Sequence, residues 1–397
     1  MNPSAKQRFL RYVGQTSDFP LLLEIDRAEG VFLYTSDGKP YYDLVSGVAV
    51  SSVGHGNPDV IAAIRNQLDH YTHLMVYGEM VQSPQVEYAE WLVGHLPASL
   101  DNVYYVNSGS EAIEGAMKLA KRVTGRHDIV AFRNAYHGST HGAVSIMGDE
   151  SFHRGFLPLL PGITHIDFNE PDQLDLITER TACVVVEPIQ AEAGIIEPQN
   201  DFMSLLRQRC DQTGALLVLD EIQTGLGRTG KWFAFEHYGI VPDILCLAKS
   251  FGGGLPLGAF ISNAGLMKEL THDPPLGHIT TFGGHPLSCA AGFAAMRYIE
   301  KHALHLRAEK VGMLYRNYMQ HSGIQRIRGK GLFLAVEFSP QVDAAAFMEH
   351  ALAEGVVLDQ FLFCRNAFRI APPLTITDDE VAWSSDRLLK AIDRSLK

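Results

Sequence analysis

The sequence predicts an α/β fold: a mainly parallel central sheet covered by helices, with a smaller α+β domain attached. Two observations carry this reading. Through the middle of the chain, short runs rich in branched apolar residues alternate with helical segments. From about residue 292 the pattern changes to a long helical stretch followed by mixed segments.

Near the start, residues 31–44 read as strand, interrupted by the turn Ser36-Asp37-Gly38. Helical patterning follows at 58–68 and 84–96. The apolar runs lie at 129–132, 183–186, 216–219, 244–247 and 259–261. Each is too short for a helix. None alternates with polar residues, as expected of strands covered on both faces. Only a Gly-rich loop separates the last two, so one antiparallel or edge strand is expected there. The stretch 292–319 reads as a long helix, and 327–338 and 355–370 as α+β. The expected division is an N-terminal segment, 1–53, that joins the small domain and a dimer interface. A large domain (54–291) and a C-terminal small domain (292–397) follow.

Composition narrows the classes. A chain of 397 residues, 46% hydrophobic and 20% charged, has the make-up of a globular protein with a sizeable core. The formal charge is −12, and no Lys/Arg block is present, which argues against a nucleic-acid partner. No uninterrupted apolar stretch reaches ~18 residues, so no membrane span is expected. Residues 1–20 lack the apolar run of a signal peptide. The cysteines Cys183, Cys210, Cys246, Cys289 and Cys364 are scattered, without any C-x-x-C pair. That favours a reducing cytoplasm over a disulfide framework, and no metal site is expected.

Open parallel sheets bind ligands beyond the carboxyl ends of their strands. After 183–186 come Glu187, Gln190 and Glu192; after 216–219 come Asp220, Glu221 and Gln223. After 244–247 come Ala248-Lys249-Ser250 and then Gly252-Gly253-Gly254. Lys249 is either an ordinary solvated lysine or an amine in an apolar pocket, where desolvation lowers its pKa and makes it a Schiff-base nucleophile. Asp220 at the neighbouring strand end favours the second. An acid there suits the ring-nitrogen proton of pyridoxal phosphate. Ser108-x-x-Glu111 reads as a capping box opening a helix over 112–122. Free N–H groups at Gly109 and Ser110 would suit a phosphate, although a plain capped helix reads the same way.

Two glycine patterns overlap at 225–231. Gly225-x-Gly227-x-x-Gly230 matches a dinucleotide fingerprint, yet Lys231-Trp232-Phe233 does not open a helix. The same residues fit G-x-x-x-x-G-K, but Trp232 stands where a P-loop needs Ser or Thr. A nucleotide-dependent oxidoreductase therefore remains only a remote alternative.

Several stretches together resemble class III aminotransferases, the pyridoxal-phosphate family that includes acetylornithine and ornithine aminotransferases. They are NSGSEAIEGAMKLAK (107–121), AYHG (135–138), VVVEPIQAEAG (184–194), the long segment 216–259 and TTFGGHPLSCAAG (280–292). GHGNPDV (54–60) and FRIAPPL (368–374) match more weakly. The resemblance implies fold type I and ping-pong transamination from an amino acid or ω-amine to a 2-oxo acid. A decarboxylase or aminomutase of the same fold is the alternative. It also implies a homodimer with shared sites.

Position by position, Lys249 resembles the Schiff-base lysine and Asp220 the ring-nitrogen partner. Gln223 resembles the residue at the phenolic oxygen, and Tyr136 the aromatic stacked on the ring. Gly109 and Ser110 match the phosphate cradle. Thr281 matches the threonine reaching the phosphate from the other subunit, with Thr280 beside it as a substrate-side residue. Arg369 matches a carboxylate clamp and Glu192 the glutamate that gates it. His137 and His285 read as hydrogen-bonded loop histidines. One departure stands out: acetylornithine- and ornithine-type enzymes usually carry Arg after the aromatic-x-Gly, and here Ser139 takes that place. The donor and acceptor are thereby left open.

Overall fold

The computed structural model describes residues 3–397. Strands β1 (Ile25–Glu29), β2 (Phe32–Thr35) and β3 (Pro40–Asp43) form an antiparallel meander. The turn at Gly38, where φ is 83°, separates β2 from β3. The helix Pro58–Leu68 has the predicted bounds. Asn57 caps it, its side chain accepting from the N–H groups of Asp59 and Val60, and proline fills the first position.

The large sheet contains β4 (Asn102–Val106), β5 (Asp128–Phe132), β6 (Ile163–Ile166), β7 (Thr181–Val186), β8 (Leu216–Asp220), β9 (Ile244–Leu247) and β10 (Gly258–Ser262). Their spatial order is β4-β10-β9-β8-β7-β5-β6. Pairing from β9 across to β6 is parallel, whereas β10 runs antiparallel to both of its neighbours. The reversed strand is thus interior, and the edges are β4 and β6. Every residue of β7, β9 and β10 is buried. This is the physical reason their sequences run apolar without alternation. The helix Gly109–Thr124 packs so close to the sheet that a Cβ at Gly115 would sit 2.3 Å from the Phe260 ring.

Beyond the sheet, the stretch expected as one helix is two: Pro286–Lys301 and Leu304–Tyr318. The break lies at Ala303, which adopts φ 48°. Nothing in its side chain signals a break, and the apolar spacing continues past it. Strands β11 (Ile324–Lys330), β12 (Phe333–Phe338), β13 (Val356–Val357) and β14 (Ala367–Ile370) follow. An antiparallel sheet, β11-β12-β14, places the buried β12 at its centre. Meanwhile β13 pairs in parallel with β3, so the first and last parts of the chain share a sheet. Tyr42 stacks on Trp383 of the last helix, Asp378–Asp393, at 4.1 Å.

The glycine loop at 225–230 has a structural role. It leads into a 3-10 turn, Ala234–His237, and Gly227 and Gly230 take φ of 93° and 97°. Buried Arg228 donates to the carbonyls of Leu332 and Pro372 and to Ser52 Oγ, tying three parts of the chain together. Burial pushes its pKa down to about 9. No described helix is long and apolar enough to cross a membrane, and all five cysteines are unpaired.

Candidate active site

Four parallel strands of the large sheet, in the order β9-β8-β7-β5, end side by side. Their carboxyl ends deliver Lys249, Asp220, Glu187 and the Tyr136–Gly138 turn to one rim. These residues line a cavity of about 360 Å³, joined from the β4 side by Asn107 through Ser110. The volume lies within the range of small-molecule sites.

Lys249 opens the 3-10 turn Lys249–Gly252 with φ 54°. A left-handed backbone at a residue with a Cβ costs on the order of 1 kcal/mol and marks a position held for its side chain. Burial pushes the Lys249 pKa down to about 8, against the opposing pull of the Asp220 charge. An appreciable share of the amine is therefore neutral near physiological pH, as a nucleophile requires.

Asp220 is 4% exposed. One of its oxygens accepts from the Ile222 N–H at 3.0 Å, and the other meets His137 Nδ1 at 2.7 Å. Burial alone would depress the His137 pKa, but the hydrogen bond and charge of Asp220 raise it above the ordinary value. Its Nε2 is buried without a partner among the described residues. Glu187 accepts from the N–H groups of Ala191 and Tyr136. Burial pushes its carboxyl up to about 7; the His137 charge opposes this and Asp220 adds to it. Glu187, expected on this rim, and His137, read as a hydrogen-bonded loop histidine, both line the cavity, and neither was assigned a role from the sequence. The only signals were the place of Glu187 directly after an apolar run and of His137 beside Tyr136.

The cradle is built from two segments. Ser108 caps the helix by accepting from the Glu111 N–H at 3.2 Å. The Glu111 carboxylate reaches the Asn107 N–H, one residue earlier than a reciprocal capping box would require. Against this helix start lies Gly138, with φ 124°; a Cβ there would meet Ser110 Oγ at 2.0 Å. Gly138→Ala is therefore expected to displace Ser110 and to weaken cofactor retention by about tenfold or more. Titration of the cofactor-free protein, followed by absorbance, measures this, and an unchanged dissociation constant would refute it. Tyr136 is half-buried, its hydroxyl 3.1 Å from Ser139 Oγ.

Behind the cavity sits Arg369, 1% exposed. It donates to Glu192 at 2.7 Å and to Gln223 Oε1 at 2.6 Å, while the Gln223 amide donates to Glu192 at 3.1 Å. Burial alone would raise the Glu192 carboxyl, but Arg369, Gln223 and the Leu362 N–H hold it below the ordinary value. Of the pair at 280–281, Thr280 Oγ1 accepts from the Asn107 amide at 3.0 Å. Thr281 is exposed and does not line the cavity of its own chain.

This donor set fits pyridoxal phosphate. A partly neutral amine suits the aldehyde, and a buried carboxylate suits a ring nitrogen. A helix N-terminus, with a glycine where any Cβ would intrude, suits the phosphate.

Comparison with known proteins places the chain. Residues 13–392 match the family described as Aminotransferase class-III. An acetylornithine aminotransferase of Archaeoglobus fulgidus is 37% identical over 359 residues, spanning 90% of this chain and 92% of that protein. Ornithine aminotransferase 1 of Staphylococcus aureus is 37% identical over 383 residues, 93% of this chain and 94% of that one. The crystallised ornithine aminotransferase of Toxoplasma gondii superposes with a TM-score of 0.90 at 30% identity, covering 98% of this chain and 93% of its own. An amine transaminase from an uncultivated Pseudomonas species, solved with pyridoxal phosphate bound, gives 0.87 at 28% identity, covering 97% and 98%. With its fold, its cavity and near full-length similarity in agreement, the chain belongs to the class III aminotransferases, enzymes that transfer amino groups with pyridoxal phosphate.

Proposed function

We propose that this aminotransferase takes an ω-amino donor of the ornithine type and passes the amino group to a 2-oxo acid. The observation that carries the proposal is the contrast between its two cationic groups. Lys249 faces the open cavity, while Arg369 is closed off by Glu192 and Gln223. With Arg369 neutralised, an amine without a neighbouring carboxylate enters. When Glu192 releases it, the guanidinium fork holds an α-carboxylate in two parallel hydrogen bonds. Ser139, paired with the Tyr136 hydroxyl, brings no charge to the distal end of the donor.

The cofactor, when bound, supplies an electron sink for negative charge at the reacting substrate carbon. Lys249 would hold it until the donor amine displaces the lysine; the freed amine would then take the proton from that carbon and deliver it to the cofactor's C4′, acting as base and acid in turn. Asp220 would hold the proton at the ring nitrogen, and His137 orients Asp220 from the other side. Gln223 would serve the phenolic oxygen and Tyr136 would cover the ring face. Gly109 and Ser110 receive the phosphate.

We further propose a homodimer in which Thr281 reaches the partner's phosphate site, with Thr280 on the substrate side. Support comes from Ile279 and Phe282, exposed on either side of the threonines at 50% and 53%. Phe282 packs on His73, next to half-exposed Leu74 and Met75. Such an apolar surface suits a permanent interface. The sheet shared by β3 and β13 supports grouping 1–53 with 292–397 around a large domain of 54–291, with the helix Pro286–Lys301 running across the second boundary. Five unpaired cysteines support a cytoplasmic location.

The test is a set of half-reactions with ornithine, acetylornithine, 4-aminobutyrate, β-amino acids and diamines, each without acceptor. Terminal primary amines should convert the cofactor to its amine form without loss of carbon dioxide. Decarboxylation, or conversion by α-amines alone, would overturn the proposal.

A further inference from the structure

Arg369 sets one positive charge against two carboxylates. Besides Glu192 it faces Asp359, whose Oδ2 stands 3.5 Å from the same Nη2 that Glu192 already engages at 2.7 Å. The placement is built into the backbone. The Arg369 N–H donates to the Asp359 carbonyl at 3.3 Å, and Gln360 bridges to Phe368. The Phe361 ring lies 4.8 Å from the guanidinium carbon and restricts its movement. Two buried atoms in this cluster lack partners among the described residues: Arg369 Nε and Asp359 Oδ1.

We propose that Asp359 is a specificity-determining residue, a second carboxylate that holds Arg369 in its closed arrangement and weakens capture of substrate α-carboxylates. This rests on the reading of Arg369 as the carboxylate clamp.

Substrate and protein carboxylates compete for one guanidinium. A substrate carboxylate entering the site must take the guanidinium from Glu192, and then also sit beside Asp359. The second negative charge remains after Glu192 has moved, because β14 fixes it alongside Arg369. Like charges within a few ångströms in a partly buried site repel strongly. The effect is already visible between the two acids: burial pushes the Asp359 carboxyl up to about 6, Arg369 opposes this, and Glu192 adds to it. An ω-amino donor, which reacts while Arg369 stays closed, loses nothing to Asp359.

The experiment compares Asp359→Asn and Asp359→Glu holoenzymes with the parent. It measures KM for 2-oxoglutarate and KM for an ω-amino donor. Asp359→Asn should lower the 2-oxoglutarate KM by about fivefold and leave the donor KM equal or higher. Asp359→Glu, which keeps the charge, should not lower the acceptor KM. An acceptor KM that is unchanged or raised in Asp359→Asn overturns the proposal. Arg369→Lys separates the two levels. If it raises the acceptor KM while Asp359→Asn does nothing, only the role of Asp359 fails. If it leaves the acceptor KM alone, the clamp reading fails and this proposal with it. Should the amide variant not fold, Asp359→Ser reads the same two constants.

Discussion

Lys249→Ala is expected to lower turnover by about 10²–10⁴-fold through loss of proton transfer alone, and further through loss of the covalent hold on the cofactor. The visible band of the lysine-linked cofactor should vanish. The fold should persist, because the side chain makes no hydrogen bond that anchors β9, and alanine at φ 54° carries the same backbone strain. Added methylamine should restore part of the rate, since a small amine can occupy the space left by the lysine stem. Unchanged turnover and an unchanged spectrum would remove Lys249 from the reaction.

Asp220→Asn is the second large effect. The amide preserves size but can accept from only one of His137 and the Ile222 N–H, and the charge at the ring-nitrogen position is lost. Turnover should fall by about 10²–10³-fold, the range seen when one preorganised electrostatic partner is removed. Stability carries a separate signature in the cofactor-free protein. Asp220 raises the pKa of His137, so the pair stabilises the fold fully below the unfolded histidine value of 6.5. That contribution fades as pH climbs through the raised folded value. The Tm difference between parent and variant should therefore be widest in mild acid and narrow with increasing pH. A pH-independent difference would show that the His137–Asp220 contact carries no charge.

Much of this arrangement was legible because parallel sheets encode burial directly. Strands β7, β8 and β9 announce themselves as apolar runs, and the polar residues just past them necessarily share a rim. The edge strands β4 and β6 were not found, since half-buried edges lack the continuous apolar signal. Glu187 was expected on the rim and His137 as a bonded loop histidine, but their relation to Asp220 was not legible. His137 meets Asp220 across the end of the intervening β7, and Glu187 feels the charges of both; no local pattern records that. The Asp359 contact has the same origin: it depends on how the 359–361 segment lies against β14. The Gly225–Gly230 loop is the reverse case. Its spacing imitates a nucleotide site, while its structure shows a joint locked by Arg228.

Every assigned role depends on which amine carries the cofactor. Borohydride reduction of the holoenzyme, proteolysis and mass spectrometry of the fragments decide it. The phosphopyridoxyl mass should appear on the peptide containing Lys249 and on no other. Labelling of a different lysine, such as Lys118 or Lys231, with Lys249 unmodified, would contradict the account at its root.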